Sequence, residues 1–270
     1  MDQVLEILDY VLNIPYQYDL FFTVSTDNHK DLINSLKSRH IEKYKIHDYP
    51  NQGYDIAPFL HLLPLLSKEN YQLICKIHTK KGPSHQTIFK HWFKHLMQPI
   101  LGSKQTVENI IDSFDQNKQL GIIGSADFYK SAQGLMYGNE KPVEELLSVI
   151  DSGFDVNSEW GFFAGTIFWA RVDLFNPLLN NPKLDSLIEK SSKIEMESGT
   201  PVSIFHALER VIGALPYIKN MTTGVSNPID KTRTTFSVQV LPHSFIPSSD
   251  SIQGTLKKIQ SSHNQKSDTH

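Results

Sequence analysis

Two short runs hold the residues whose types and spacing could do chemistry. In Asn51-Gln-Gly53-Tyr-Asp55, glycine leaves the backbone free to take a positive φ, and the carboxylate can cap the orphan N–H groups of a helix that follows. In His78-Thr-Lys80-Lys81, an imidazole and two ammonium groups come directly after a short aliphatic run. Helix N-termini and clustered cations both attract anions, so the two runs together point to a phosphate-bearing ligand. Residues 76–95 stay rich in Lys and His and contain no acid. A merely solvated face is the plain alternative for such a run. Further along, Gly165-Thr166 interrupts an apolar stretch, where glycine marks a bulge, the close approach of a ligand, or tight packing. His206, Glu209, Arg210 and Gly213 share one side of a helical pattern whose other side is Ile204, Phe205, Leu208, Val211 and Ile212.

The elements that must position these groups follow from periodicity. A helix is predicted from near Ile56, with Pro58 tolerated in its first turn, Pro64 weakening it, and apolar residues around most of its circumference. The run 71–77 then reads as a strand ending in the basic loop. Upstream, the spacing predicts a helix over 2–13, a strand within 19–26, a helix over 29–40 and a strand over 44–49. Alternation of helix and strand predicts an α/β fold with a mainly parallel sheet flanked by helices, in which ligands gather outside the carboxyl ends of the strands.

Downstream, helices are predicted over 86–98 and 107–117, and a strand over 121–126. From 127 to 157 the pattern loosens around Gly134, Gly138 and Pro142, as in a variable insert with one helix near its end. The run 160–175 is predicted as one buried strand leading into a helix from about Val172, and Thr200 and Pro201 signal the start of the helix over 200–213. From Ser248 the chain turns polar and weakly patterned, so the expected division is an α/β domain over 1–247 and a mobile tail over 248–270.

With 270 residues and a formal net charge of -3, the chain can bury one large core and has no overall basic field for nucleic acid. One cysteine, Cys75, falls in a predicted strand, which excludes an internal disulfide and suits a reducing compartment. No apolar stretch approaches the about 20 residues of a membrane span. A cytoplasmic protein is expected, with peripheral membrane association left open.

The runs NQGYDIAPFL, CKIHTKKG, FFAGTIFWAR and HALERVIG, in this order over residues 51–213, resemble the rhamnan synthesis protein F family of bacterial cell-wall, capsule and lipopolysaccharide glycosyltransferases. The resemblance implies a GT-A-like α/β fold that moves a sugar from a nucleotide-sugar donor to a glycan or lipid-linked glycan acceptor. It places Asn51, Gly53, Asp55, His78, Lys80, Lys81, Gly165, Thr166, His206 and Arg210 around the donor. The chain departs from the family in having Tyr54 where Arg is usual and Ala57 where Gly is usual. It also begins with a helix where family members begin with an extra strand, so the expected sheet lacks its first strand.

Many GT-A enzymes hold a metal with Asp-x-Asp after the fourth strand, and His78-Thr79-Lys80 occupies that place here. The implied transfer is metal-independent and uses no cofactor beyond the donor substrate, with the protein's own cations meeting the charge of the departing phosphate. An inverting transfer needs a carboxylate base. Glu209, able to reach His206 across one helical turn, is the first candidate; Glu197 and Asp127 are the others. Glu195 and Glu197 fall in a predicted loop, where solvated acids are the simpler reading. Two alternatives from other classes are a non-catalytic carbohydrate or nucleotide-sugar binding module, and an interaction domain that has kept only the scaffold of a transferase.

Overall fold

A computed structural model describes residues 2–79, 87–198, 203–229 and 233–264. The first half runs α1 (Asp2–Val11), β1 (Phe21–Val24), α2 (His29–Ser38), β2 (Lys45–Asp48), α3 (Ile56–Lys68), β3 (Leu73–Lys76), α4 (Thr87–Leu101), α5 (Lys104–Gln116) and β4 (Leu120–Ser125). Each lies where periodicity places it, because its apolar residues recur on one helical face or fill a short strand. The second half runs β5 (Tyr129–Ser131), α6 (Glu140–Ile150), β6 (Gly161–Phe163), β7 (Phe168–Arg171), α7 (Pro182–Ser198), α8 (Ile204–Ile218), β8 (Thr222–Pro228), β9 (Phe236–Leu241) and α9 (Ile252–Asn264).

The main sheet has five strands in the order β3-β7-β4-β8-β9 and is mixed, which corrects the expectation of a mainly parallel sheet. Only β4 and β8 pair in parallel within it; β7 runs antiparallel to both β3 and β4, and β9 antiparallel to β8. The cause lies in the run 160–175, which is two strands rather than one. After β6 pairs with β5, the chain reverses through Gly165 at φ 102° and Thr166 at φ 49°, then enters β7. A 3-10 segment, Val172–Leu178, follows in place of the predicted helix. Since β3, β4 and β8 all point the same way, their carboxyl ends share one edge of the sheet with the amino end of β7. A separate two-stranded sheet joins β1 and β2 in parallel.

The strand β4 is buried along its whole length, and the largest apolar cluster surrounds it with residues from α3, α4, α5, α6 and α8. A smaller cluster of Leu8, Leu32 and Leu36 packs beneath β1 and β2. The helix α8 comes close enough to β6 that a Cβ at Gly213 would meet the Gly161 carbonyl oxygen at 2.3 Å. Cys75 packs toward this core, and burial pushes its thiol above the ordinary range, as suits a structural residue.

Three stretches carry more structure than their patterns announce. The supposed insert at 127–157 contributes β5 and α6, whose Val143, Leu146 and Leu147 are buried. Strand β8 arises from TTGVSNP, a run without apolar alternation, and β9 from FSVQVL, whose Phe236, Val238 and Val240 do alternate with polar residues. The expected mobile tail instead makes a parallel bridge between Ser248 and Lys130 and then α9, which buries Thr255, Leu256 and Ile259. Two apolar side chains buried this way favour docking by about 1.5–3 kcal/mol each.

Candidate functional site

Asp55 lies at the start of α3 but does not cap it: no hydrogen bond runs from its side chain to the helix N–H groups. The carboxylate turns instead toward the end of β3 and the β6–β7 reversal. Its Oδ2 accepts from Lys76 Nζ at 2.6 Å and from the Thr166 hydroxyl, and lies 3.3 Å from His78 Nε2. Lys76 also donates to the Thr166 carbonyl at 3.0 Å and sits between the rings of Phe59 and Phe168. With the side chains of Lys76 and Asp55 only 5% and 19% exposed, this is a buried ion pair. Such a pair persists because each charge is hydrogen-bonded as well as neutralised. His78 Nε2 is also 2.8 Å from the Gly165 carbonyl, and Nδ1 is 3.0 Å from the Thr79 carbonyl. Both ring nitrogens thus face carbonyl oxygens.

The other side of the same reversal is held by α8. Gly165 N–H donates to Glu209 Oε1 at 2.7 Å, while Glu209 Oε2 accepts from Arg210 Nη1 at 2.9 Å. Arg210 is itself anchored: its Nε and Nη2 donate to the Leu135 carbonyl, Nη1 donates to the His206 carbonyl, and the guanidinium lies over Phe162. Residues 165 and 166 hold left-handed backbone that only glycine adopts freely. The strain at Thr166 is offset by bonds to its hydroxyl, its carbonyl and the preceding N–H.

Glu209 does not bond His206 across a helical turn as expected. His206 instead stacks on Tyr54, with ring centroids 4.8 Å apart and planes at 27°. Tyr54 has φ 55° and follows Gly53 at φ 70°, where a Cβ would meet the Phe205 ring at 2.8 Å. Gly53 therefore lets the loop close onto α8. Asn51 is exposed in that loop. A narrow crevice opens behind Glu209 and Thr166, lined also by Tyr129, Gly161, Gly213 and Thr223. Burial, then the nearby Tyr217, pushes the Tyr129 phenol up, so it stays a neutral hydroxyl in this wall.

The structure thus brings together Gly53, Asp55, His78, Gly165, Thr166, His206, Glu209 and Arg210 at the carboxyl edge of the sheet. Asp127 follows β4 and ion-pairs with Arg233 rather than with a member of the Asp55 group. Glu195 and Glu197 belong to the end of α7, not to a loop. Lys80, Lys81, Thr200 and Pro201 lie outside the described residues. Sequence reading passed over Lys76, although a lysine closing an otherwise aliphatic strand was a visible signal of a buried partner. It also passed over Tyr54 as a ring and Arg233 as the partner of Asp127. Among the described residues, no group of three or more His, Cys, Asp or Glu is placed to hold a metal ion. Among them, too, no helix is long and apolar enough to cross a membrane.

The chain is 27% identical over 237 residues to the uncharacterized protein WxcX of Xanthomonas campestris pv. campestris, in strains B100 and ATCC 33913. The match covers 87% of this chain but 32% of those relatives, so the chain spans about a third of their length. No solved structure matches it at a significant level. The family described as rhamnan synthesis protein F matches residues 1–221, which takes in every element from α1 to α8 and with them the whole Asp55–Glu209 site. The chain belongs to the rhamnan synthesis protein F family, whose name ties it to polysaccharide synthesis.

Proposed function

We propose that this chain is a GT-A-like glycosyltransferase domain that moves a sugar from a nucleotide-sugar donor to a glycan or lipid-linked glycan of the bacterial envelope. The observation that carries the reading is the meeting of Asp55, Lys76, His78 and Thr166 with Glu209 around one strained turn at the carboxyl edge of the sheet. In this reading the donor diphosphate lies against His78 and the lysines that follow it in the chain, Lys80 and Lys81. Asn51, Gly53, His206 and Arg210 line or support the same pocket. Glu209 takes the proton of an acceptor hydroxyl, whose oxygen attacks the anomeric carbon. The bond from that carbon to the phosphate oxygen breaks, and the cations stabilise the charge left on the diphosphate. Glu197 and Asp127 are the alternative bases. No metal or other cofactor enters the scheme. A cytoplasmic site of action, with peripheral contact to the membrane that holds the acceptor, belongs to the same reading.

One observation favours a second reading, a binding module without transfer. Both Glu209 oxygens already accept hydrogen bonds that hold the fold together. The test is a thermal-shift screen of nucleotide sugars, followed by transfer of radiolabelled sugar from any stabilising donor to rhamnan fragments. A donor at 100 times its Kd should stabilise the native state by about 2.7 kcal/mol. Stabilisation with transfer bears out the first reading, and stabilisation without transfer bears out the second. No stabilisation by any nucleotide sugar sinks both.

A further inference from the structure

Tyr54 occupies a position that the packing of the fold does not require. Its ring is 63% exposed, yet its backbone sits at φ 55°, directly after Gly53 at φ 70°. A bulky residue in the left-handed region is costly, and such outliers gather at ligand sites. One face of the ring is covered by His206 at 4.8 Å, which fixes its orientation, and the ring's high exposure leaves the other face open to solvent. The next residue is Asp55, whose carboxylate ties the loop to Lys76 and Thr166. The supporting His206 lies three positions before Glu209 on α8, which puts the two on one helix face about 5–6 Å apart between Cβ atoms.

We propose that Tyr54, seated on His206, is a stacking platform for a pyranose ring of the glycan acceptor, one helical turn from Glu209. A rigid, half-supported aromatic ring offers a large apolar face at little cost in side-chain freedom. The face of a pyranose that carries axial C–H bonds matches it, while the hydroxyls around the sugar's rim point outward. One of them is directed toward Glu209, which the helix carrying His206 also presents. A nucleobase would stack equally well on the tyrosine but carries no hydroxyl for a carboxylate to deprotonate. This deepens the transferase reading above and rests on it for the role of Glu209, not for the binding of the sugar.

The full chain carrying ¹³C-labelled tyrosine is titrated with the methyl glycosides of rhamnose and glucose, and separately with UMP. The Tyr54 signal is assigned by its loss in Tyr54→Ala. Glycoside should shift that signal, and the sugar C–H protons should move upfield under the ring current. Tyr54→Ala should weaken glycoside binding about tenfold, while Tyr54→Phe stays within about twofold, both with wild-type melting temperature. Equal affinity in Tyr54→Ala, or a Tyr54 signal that responds to UMP and not to glycoside, overturns the platform. If no nucleotide sugar stabilises the protein but Tyr54 still takes glycoside, the transferase reading falls and the platform stands. If transfer proceeds with an unchanged acceptor KM in Tyr54→Ala, the platform falls alone.

Discussion

Removing either member of the Asp55–Lys76 pair should destabilise the protein, and by unequal amounts. Asp55→Ala leaves an ammonium buried beside the Thr166 carbonyl and two ring faces, with its 2.6 Å counter-ion gone. Breaking a buried pair from one side costs about 3–5 kcal/mol. Lys76→Met keeps most of the side-chain volume and leaves a carboxylate that still accepts from Thr166, lies near His78 and is the more exposed member. Its cost should be lower, about 1–3 kcal/mol, the range for a lost charge-assisted bond. For a chain of this size each kcal/mol lowers Tm by about 2–4 °C, so the expected drops are about 6–20 °C for Asp55→Ala and about 2–12 °C for Lys76→Met. The double variant removes both charges and should cost less than the sum of the single ones, leaving a coupling of about 1–3 kcal/mol. Urea unfolding of the four proteins measures the cycle, and amide exchange at Gly165 reports whether the reversal loosens with it. Additive losses, or equal losses within error, would refute the view that the pair is what ties α3 and β3 to the turn.

The remaining expectations concern the site and one buried lysine. Glu209→Gln, which keeps size but cannot accept a proton, should lower transfer by about 10²- to 10⁴-fold with donor affinity little changed; a stable variant with near-normal turnover moves the base to Glu197 or Asp127. Lys80→Ala with Lys81→Ala should weaken nucleotide binding by about 2–3 kcal/mol, and unchanged affinity by calorimetry counts against a diphosphate site there. If the proposed metal-independent transfer holds, activity should survive excess EDTA, since the sequence has His78-Thr79-Lys80 where the family resemblance would put an acidic metal-binding pair; activity lost to EDTA and restored by Mn²⁺ overturns that proposal. Lys130 is 2% exposed and its pKa is lowered, chiefly by burial and despite the opposing charges of Asp250 and Asp127. The folded state therefore releases this proton before the unfolded chain does, so stability should rise with pH through the window just below the ordinary value of 10.5. Lys130→Met should flatten that rise in urea midpoints; an unaltered slope means another group causes it.

The first half of the fold was legible because its signals are local. Phe59, Leu63 and Leu66 repeat at helical spacing in α3, and Leu73 to Cys75 make a short aliphatic strand, so element type follows from neighbouring residues alone. Strand direction is not local. Nothing in GTIFWAR states that β7 enters the sheet antiparallel, since the same buried pattern serves either direction. The polar stretch from Ser248 misled for a related reason: its apolar residues are few, but Ile252, Leu256 and Ile259 of α9 all pack inward beyond the Ser248–Lys130 bridge. Around the turn at Gly165 and Thr166, several side chains singled out by residue type do meet, while their partners did not follow from the sequence. Asp55 reads as a helix cap in sequence, yet a buried lysine on the next strand draws the carboxylate away, because a charge-assisted bond to a buried ammonium outweighs a neutral cap.

That exchange of partners explains why one turn can gather the whole site. The reversal at Gly165 and Thr166 exposes main-chain groups that neither β6 nor β7 can pair, and buried backbone groups must find partners elsewhere. The Gly165 N–H goes to Glu209, the Gly165 carbonyl to His78 and the Thr166 carbonyl to Lys76. Three side chains from α8, the loop after β3 and β3 itself are thereby fixed by bonds to two consecutive residues. A site assembled this way is rigid at its centre, since moving any one group leaves a buried donor or acceptor unpaired, at about 1–3 kcal/mol. It also ties the cluster to topology. The antiparallel entry of β7 is what carries its amino end to the carboxyl edge of β3 and β4, so the feature that sequence periodicity could not reveal is the one that brings Asp55, His78 and Glu209 to a single turn.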